Sequence, residues 1–175
     1  MANNQLELTK GDWIVHNRHG LGQITGMETK ELLGKRQDFY VVRTESVTYW
    51  LPRSESGAEN VRPVANNEAF KEAIGVIAQA PKPLEENFHR RLSNIHERIQ
   101  ESSLLTKAAL IRDMYARNVE KDVHINERKI FDVLEEQFIS EWVAACNIDR
   151  EMAQTELRKA LMKSSADLKV KKNRF

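Results

Sequence analysis

The feature that most constrains this chain is a change of texture near residue 65. Before it, short runs of β-branched and aromatic residues alternate with glycine, asparagine and aspartate, a pattern that allows only short strands joined by close turns. After it, apolar residues recur every three to four positions, which is the period of helices that bury one face. The 175 residues are enough for two small domains that each enclose a core. The fold class expected is therefore α+β, with a β-rich module over residues 1–65 and an all-α domain of about five helices over 66–175.

In the first part, Gly11-Asp12 opens the run Trp13-Ile14-Val15-His16, and Asn17-Arg18-His19-Gly20 supplies a turn. A second strand runs from Leu21 to Glu28, where Gly22 and Gly26 predict a bend or bulge. The loop around Leu32-Leu33-Gly34-Lys35 leads to a third strand, Asp38–Thr44, and Ser46–Leu51 forms a fourth that Pro52 stops. An extended piece near Asn60–Val64 closes the set. Strands this short and this close predict a small antiparallel β-barrel of the Tudor or SH3-like kind. Beyond Pro63, Asn66 or Asn67 caps a first helix through Phe70, Ala73, Ile74, Ile77 and Ala78, and Ala80-Pro81-Lys82-Pro83 ends it. Phe88, Leu92, Ile95 and Ile99 mark a second helix. Ser102 or Ser103 caps a third, a fourth starts near His124 or Ile125, and Asp149 caps a fifth. The tail from Lys169 to Phe175 is basic. Pro63 and the Pro81–Pro83 stretch are both candidate hinges.

Composition narrows the function classes. The formal net charge is +1, so the chain is no polycation, and any nucleic-acid contact has to come from a local patch. The single cysteine, Cys146, permits neither an internal disulfide nor a cysteine-rich zinc site, and it suits a reducing cytoplasm. No stretch reaches the ~18 apolar residues of a membrane span. His16 and His19 form a His-x-x-His pair, but a metal needs three or four converging ligands, so turn and strand-end roles are the simpler reading. Gly20-Leu21-Gly22 lacks the third glycine of a nucleotide loop. No carboxylate pair or Ser-His-Asp set is evident, so neither catalysis nor a cofactor is expected.

Three features point to binding. In the fourth strand Val47, Tyr49 and Leu51 share one face and Thr48 and Trp50 the other, so Trp50 points outward if the first set is core. The alternative is that the Leu32-Leu33 loop covers it. The segment Glu86-Asn87-Phe88-His89-Arg90-Arg91 puts an aromatic ring beside cations at a helix start, which suits a wedge at a base step flanked by phosphate contacts. Its alternative is that Phe88, one turn before Leu92, belongs to the core stripe. Arg112, Arg128, Lys129 and the tail cations form a third, weaker set, since charges on helices are usually solvated.

Taken in order, these segments resemble the CarD family of bacterial transcription regulators. Its N-terminal module is shared with the RNA polymerase-interacting domain of transcription-repair coupling factors. The carriers are Gly11-Asp12-Trp13-Ile14-Val15-His16, His19-Gly20-Leu21-Gly22-Gln23-Ile24, Phe39-Tyr40-Val41-Val42 and Leu51-Pro52. In the helical part they are Asn87-Phe88-His89-Arg90-Arg91 and Leu110-Ile111-Arg112-Asp113-Met114. The resemblance spans about residues 8–160. It implies that the first domain binds the β subunit of RNA polymerase through Lys30, Trp50 and Pro52. It implies too that the helical domain contacts promoter DNA near the upstream edge of the bubble, through Phe88 with Arg90 and Arg91 beside it; His89, Arg128 and Lys129 join this DNA-binding set from their charge and place in the chain. Holding the melted promoter open is the implied outcome, with the protein monomeric, cytoplasmic and nucleoid-associated through the polymerase. Two departures stand out: Trp50 replaces a basic residue, and Phe88 replaces the tryptophan many members carry. A Tudor-like adaptor that docks on polymerase or a repair factor without touching DNA is the alternative.

Overall fold

The computed structural model describes residues 7–56, 60–166 and 168. It comprises two compact units. One contains the residues up to Val64 together with Gln100–Ser102, and the other contains Ala65–Ile99 and the residues from Ser103 onward. The basic tail, 169–175, lies outside the described residues.

The first unit is a five-stranded antiparallel sheet: β1 (Trp13–His16), β2 (Gly20–Leu32), β3 (Lys35–Arg43), β4 (Thr48–Pro52) and β5 (Val61–Pro63). Its order is β4-β3-β2-β1-β5, so β4 and β5 lie at the two edges. One face forms the core, from Ile14, Ile24, Tyr40, Val42, Leu51 and Val61, with Leu8 and Tyr49 packed against it. The bend that the glycines predict is present. The β2–β3 register shifts between Ile24 and Gly26, leaving Thr25 as the extra residue of a bulge. Thr25 Oγ1 donates to the Val41 carbonyl at 3.2 Å, which satisfies the interrupted ladder. β2 runs farther than the sequence suggests, to a two-residue hairpin in which Leu33 (φ 53) and Gly34 (φ 75) both adopt the left-handed conformation. That is the backbone of a type I′ turn, and it suits glycine better than leucine.

At the β1–β2 turn, His16, His19 and Tyr49 form an aromatic trio with ring centroids 4.5–5.7 Å apart. His16 Nδ1 accepts from the Arg18 N–H at 3.0 Å, and Nε2 lies 3.3 Å from the Asn60 amide nitrogen. Both ring nitrogens of His16 are thus engaged within the unit.

The second unit is built from α1 (Asn67–Ile77), α2 (Phe88–Gln100, all but its last residue), α3 (Leu104–Glu120), α4 (Ile125–Cys146) and α5 (Arg150–Ser164). Three of the caps are the short polar residues that the pattern marks, and His124 serves as a fourth. Asn66, Ser103, His124 and Asp149 each accept a backbone N–H of the first turn. Asn147 at φ 49 ends α4 in the left-handed C-cap conformation. Phe70, Ile77, Ile95, Leu110, Ile111, Phe138, Leu157 and Leu161 centre the core. Trp142 stacks on Phe70 with ring centroids 5.8 Å apart and planes 3° from parallel.

Two predictions follow from the β unit. A Cβ at Gly22 would stand 2.6 Å from Val42 Cγ1, a buried side chain in the sheet core. Gly22→Ala is therefore expected to cost ~1–3 kcal/mol of unfolding free energy in urea titrations. His16 is held at a pKa of about 4, below its ordinary 6.5, first by burial and then by His19 and Arg18. The unfolded chain therefore binds a proton that the folded one refuses between those values. The stability His16 lends is intact above about pH 6.5 and is lost as pH falls toward 4. Allowing for screening at a half-exposed site, unfolding should be easier by about 1 kcal/mol at pH 5 than at pH 7. In His16→Gln that dependence should flatten.

Candidate functional site

The outer face of the sheet presents one cluster. Because residues alternate across each strand, Glu28 and Lys30 of β2, Phe39 and Val41 of β3, and Trp50 and Pro52 of β4 share the face opposite the core. The register sets Glu28 against Phe39, and Phe39 against Pro52. Phe39 is only 6% exposed although it stands outside the core cluster. Trp50 is 44% exposed. Lys30 Nζ sits 3.3 Å from the centre of its ring, a cation–π contact worth ~0.5–1 kcal/mol at an exposed site. The indole N–H donates to Glu28 Oε2 at 2.8 Å, and Lys30 Nζ lies 3.7 Å from the same oxygen. Lys30 and Trp50, read as separate points in the sequence, are thus one unit with Glu28 as its third member.

The second candidate region lies at the start of α2. Asn87 Oδ1 accepts the Arg90 N–H at 3.1 Å and so caps the helix. Phe88, on the first turn, is half-buried and is not among the residues that make up or pack on the helical core. Its ring meets His89 (5.5 Å), His124 (5.0 Å) and the Arg91 guanidinium (5.7 Å). His89 and Arg90 are exposed.

Arg91 does not stand beside them. It is 4% exposed, with Nε and Nη2 donating to the two Glu127 oxygens at 2.5 and 3.3 Å. Nη1 donates to the Glu85 and Glu86 carbonyls, each at 2.7 Å. The reason is helical phase: the buried stripe of α2 is Arg91, Ile95 and Ile99, and Phe88 and Leu92 flank it. The phosphate role expected of Arg91 therefore does not fit its position. Burial alone would raise the Glu127 carboxyl, but Arg91's hydrogen bond and charge outweigh that and hold it below the ordinary value.

The pair also brings the first turns of α2 and α4 together. Arg128 and Lys129 are exposed on that first part of α4, where Arg128 pairs with Asp122 at 3.2 Å and solvent reaches both side chains. At the two helix N-termini the exposed cations Arg90, Arg128 and Lys129 stand among the exposed carboxylates Glu85, Glu86 and Asp122. Arg112, by contrast, is buried and bonds Asp113 at 2.8 Å and the Val76 carbonyl at 3.1 Å. Glu28 and His124 are the two members that sequence reasoning missed. Glu28 carries a signal, its i, i+2 spacing from Lys30 on one strand, whereas His124 enters only through packing.

The Pro81–Pro83 stretch is pinned: the Lys82 N–H donates to Asp113 Oδ1 at 2.9 Å, and Arg91 holds the carbonyls beyond it. A cavity of about 170 Å³ beside it is lined by Lys82, Arg117 and Lys121, but equally by Glu86, Asp113 and Glu120. Among the described residues no group of three or more His, Cys, Asp or Glu side chains is placed to hold a metal. No helix of the described residues is long and apolar enough to cross a membrane.

Comparison with known proteins agrees with the sequence motifs. Residues 8–50 match the family model for the CarD-like/TRCF RID domain, and residues 72–158 match that for the CarD C-terminal domain. A protein of Bacillus subtilis (strain 168), described as "Putative transcription factor YdeB", is 29% identical over 133 residues. The match covers 75% of this chain and 87% of that protein.

Proposed function

The chain belongs to the CarD family, and we propose that it is a non-enzymatic transcription regulator that binds the β subunit of RNA polymerase and steadies the open promoter complex. One observation carries the reading. Each compact unit leaves an aromatic side chain outside its core with a cation against it: Lys30 lies over Trp50, and Phe88, next to the exposed His89 and Arg90, has the Arg91 guanidinium at 5.7 Å. Large apolar rings left at a surface in this way are interaction anchors.

In this reading the sheet face is the handle for polymerase. Trp50 supplies apolar area, Lys30 supplies charge for an acidic partner surface, and Pro52 extends the patch along β4. The start of α2 supplies the DNA contact. Phe88 presses on a base step at the upstream edge of the bubble while His89, Arg90, Arg128 and Lys129 meet phosphates. Phenylalanine offers less stacking area than tryptophan and no N–H donor, so its hold on the melted state is weaker than a tryptophan's. The near-neutral chain relies on polymerase to deliver it to DNA, because charge alone would not.

The adaptor reading draws on one finding, the withdrawal of Arg91 into the protein. It forecasts that Arg90→Glu leaves DNA protection by the polymerase complex unchanged. The open-complex reading forecasts that protection is lost while polymerase capture persists.

Polymerase pull-down with Trp50→Ala and Lys30→Glu should show reduced capture by both. Unchanged capture by both would remove the sheet face from consideration. Open-complex lifetime should rise with Phe88→Trp and fall about fivefold with Phe88→Ala, which corresponds to ~1 kcal/mol of lost stacking.

A further inference from the structure

A buried ion pair is a weak source of stability, because the cost of desolvating both charges offsets their attraction, and apolar residues of similar volume often serve as well. The Arg91–Glu127 pair therefore calls for another account. Its geometry supplies one. We propose that Arg91 and Glu127 are positioning residues that set how Phe88 is displayed, a role that rests on Phe88 acting as the DNA wedge.

The pair lies one helical turn beneath the aromatic contact. Phe88 precedes Arg91 by three residues on α2, and His124 precedes Glu127 by three at the start of α4. Residues so spaced stand on one side of a helix. The ring contact at 5.0 Å and the ion pair at 2.5 Å are thus two successive rungs between the same two helix starts. Fixing the lower rung fixes the upper one.

Arg91 has a second task that Lys could not perform. Its planar fork reaches Glu127 through Nε and Nη2, while Nη1 holds the carbonyls of Glu85 and Glu86. Those residues lead directly into Asn87 and Phe88, so the chain enters α2 at a set angle. Two further contacts brace the segment. Lys121 Nζ meets Glu86 Oε1 at 2.6 Å, and the Lys82 N–H donates to Asp113. Asp113 is itself held by Arg112 and Arg98.

The test uses the full chain labelled with 4-fluorophenylalanine, whose six positions give fluorine resonances; Phe88→Leu assigns the one of interest. Glu127→Gln breaks the pair but leaves Arg91 buried without a counter-charge and can unfold the protein. Arg91→Met with Glu127→Leu removes both charges and keeps apolar packing. In the double variant the Phe88 resonance should shift and broaden while those of Phe70 and Phe138 hold, and open-complex lifetime should fall about fivefold. Added to Phe88→Ala, the same double change should produce no further loss.

A folded double variant with an unmoved Phe88 resonance overturns the proposal. So does a lifetime loss that adds in full to that of Phe88→Ala, since the pair would then act elsewhere. If the resonance moves but neither the pair variant nor Phe88→Ala alters lifetime, the positioning stands and the wedge reading of Phe88 fails.

Discussion

The helical unit encloses carboxylates, and the arrangement of its helices depends on what neutralises them. Glu127 of α4 and Asp113 of α3 are each 2% exposed. A charge taken that far from water is tolerated only with a partner and filled hydrogen bonds. The partners come from elsewhere in the unit. Arg91 of α2 meets Glu127, and Arg98 of α2 together with the adjacent Arg112 meets Asp113. Between them the two anions fasten α2 at both ends and hold the proline segment that precedes it. A third buried carboxylate, Glu141, accepts the Ala65 N–H at 3.1 Å where the unit begins. Apolar packing supplies the bulk of the burial, and these directional contacts select one arrangement of the helices.

In the β unit the selecting constraints are steric. Gly22 leaves room for Val42, and the Thr25 bulge bends β2 so that one long strand serves a small sheet. The outer face follows from register alone. With the core face occupied by Tyr40, Val42 and Leu51, the alternate residues Phe39, Val41 and Trp50 have to face away. Two of them carry large rings. Glu28 and Lys30 roof that patch from β2, which leaves it part apolar and part charged.

Much of this was legible in the sequence, and the exceptions share a cause. Strand and helix positions followed from period and punctuation, and capping residues from short polar side chains ahead of apolar runs. The outward direction of Trp50 followed from counting by twos. Counting by three and four went astray at α2, because Phe88, Leu92, Ile95 and Ile99 read as one apolar stripe, whereas the face that turns inward runs through Arg91, Ile95 and Ile99. Hydrophobicity favours the first; a buried glutamate 36 residues downstream decides for the second. A charge that pairs across the fold leaves no local trace. The link between Lys30 and Trp50 was equally hidden, since it depends on two strands meeting through a third. The Pro81–Pro83 stretch read as a hinge for the same reason, as nothing within it reveals Asp113.

The grip on Trp50 also bears on how quickly a partner can be met. Its ring is held at the edge by Glu28 and over its face by Lys30 before anything binds. Ordering a rotamer-rich side chain at an interface ordinarily costs ~0.5–1.5 kcal/mol at the moment of association. Here the contacts of Glu28 and Lys30 with the ring offset part of that cost on folding. If this face is the polymerase handle proposed above, a surface prepared in this way favours near-rigid docking. In that reading, a variant that frees the ring hastens departure more than it slows arrival.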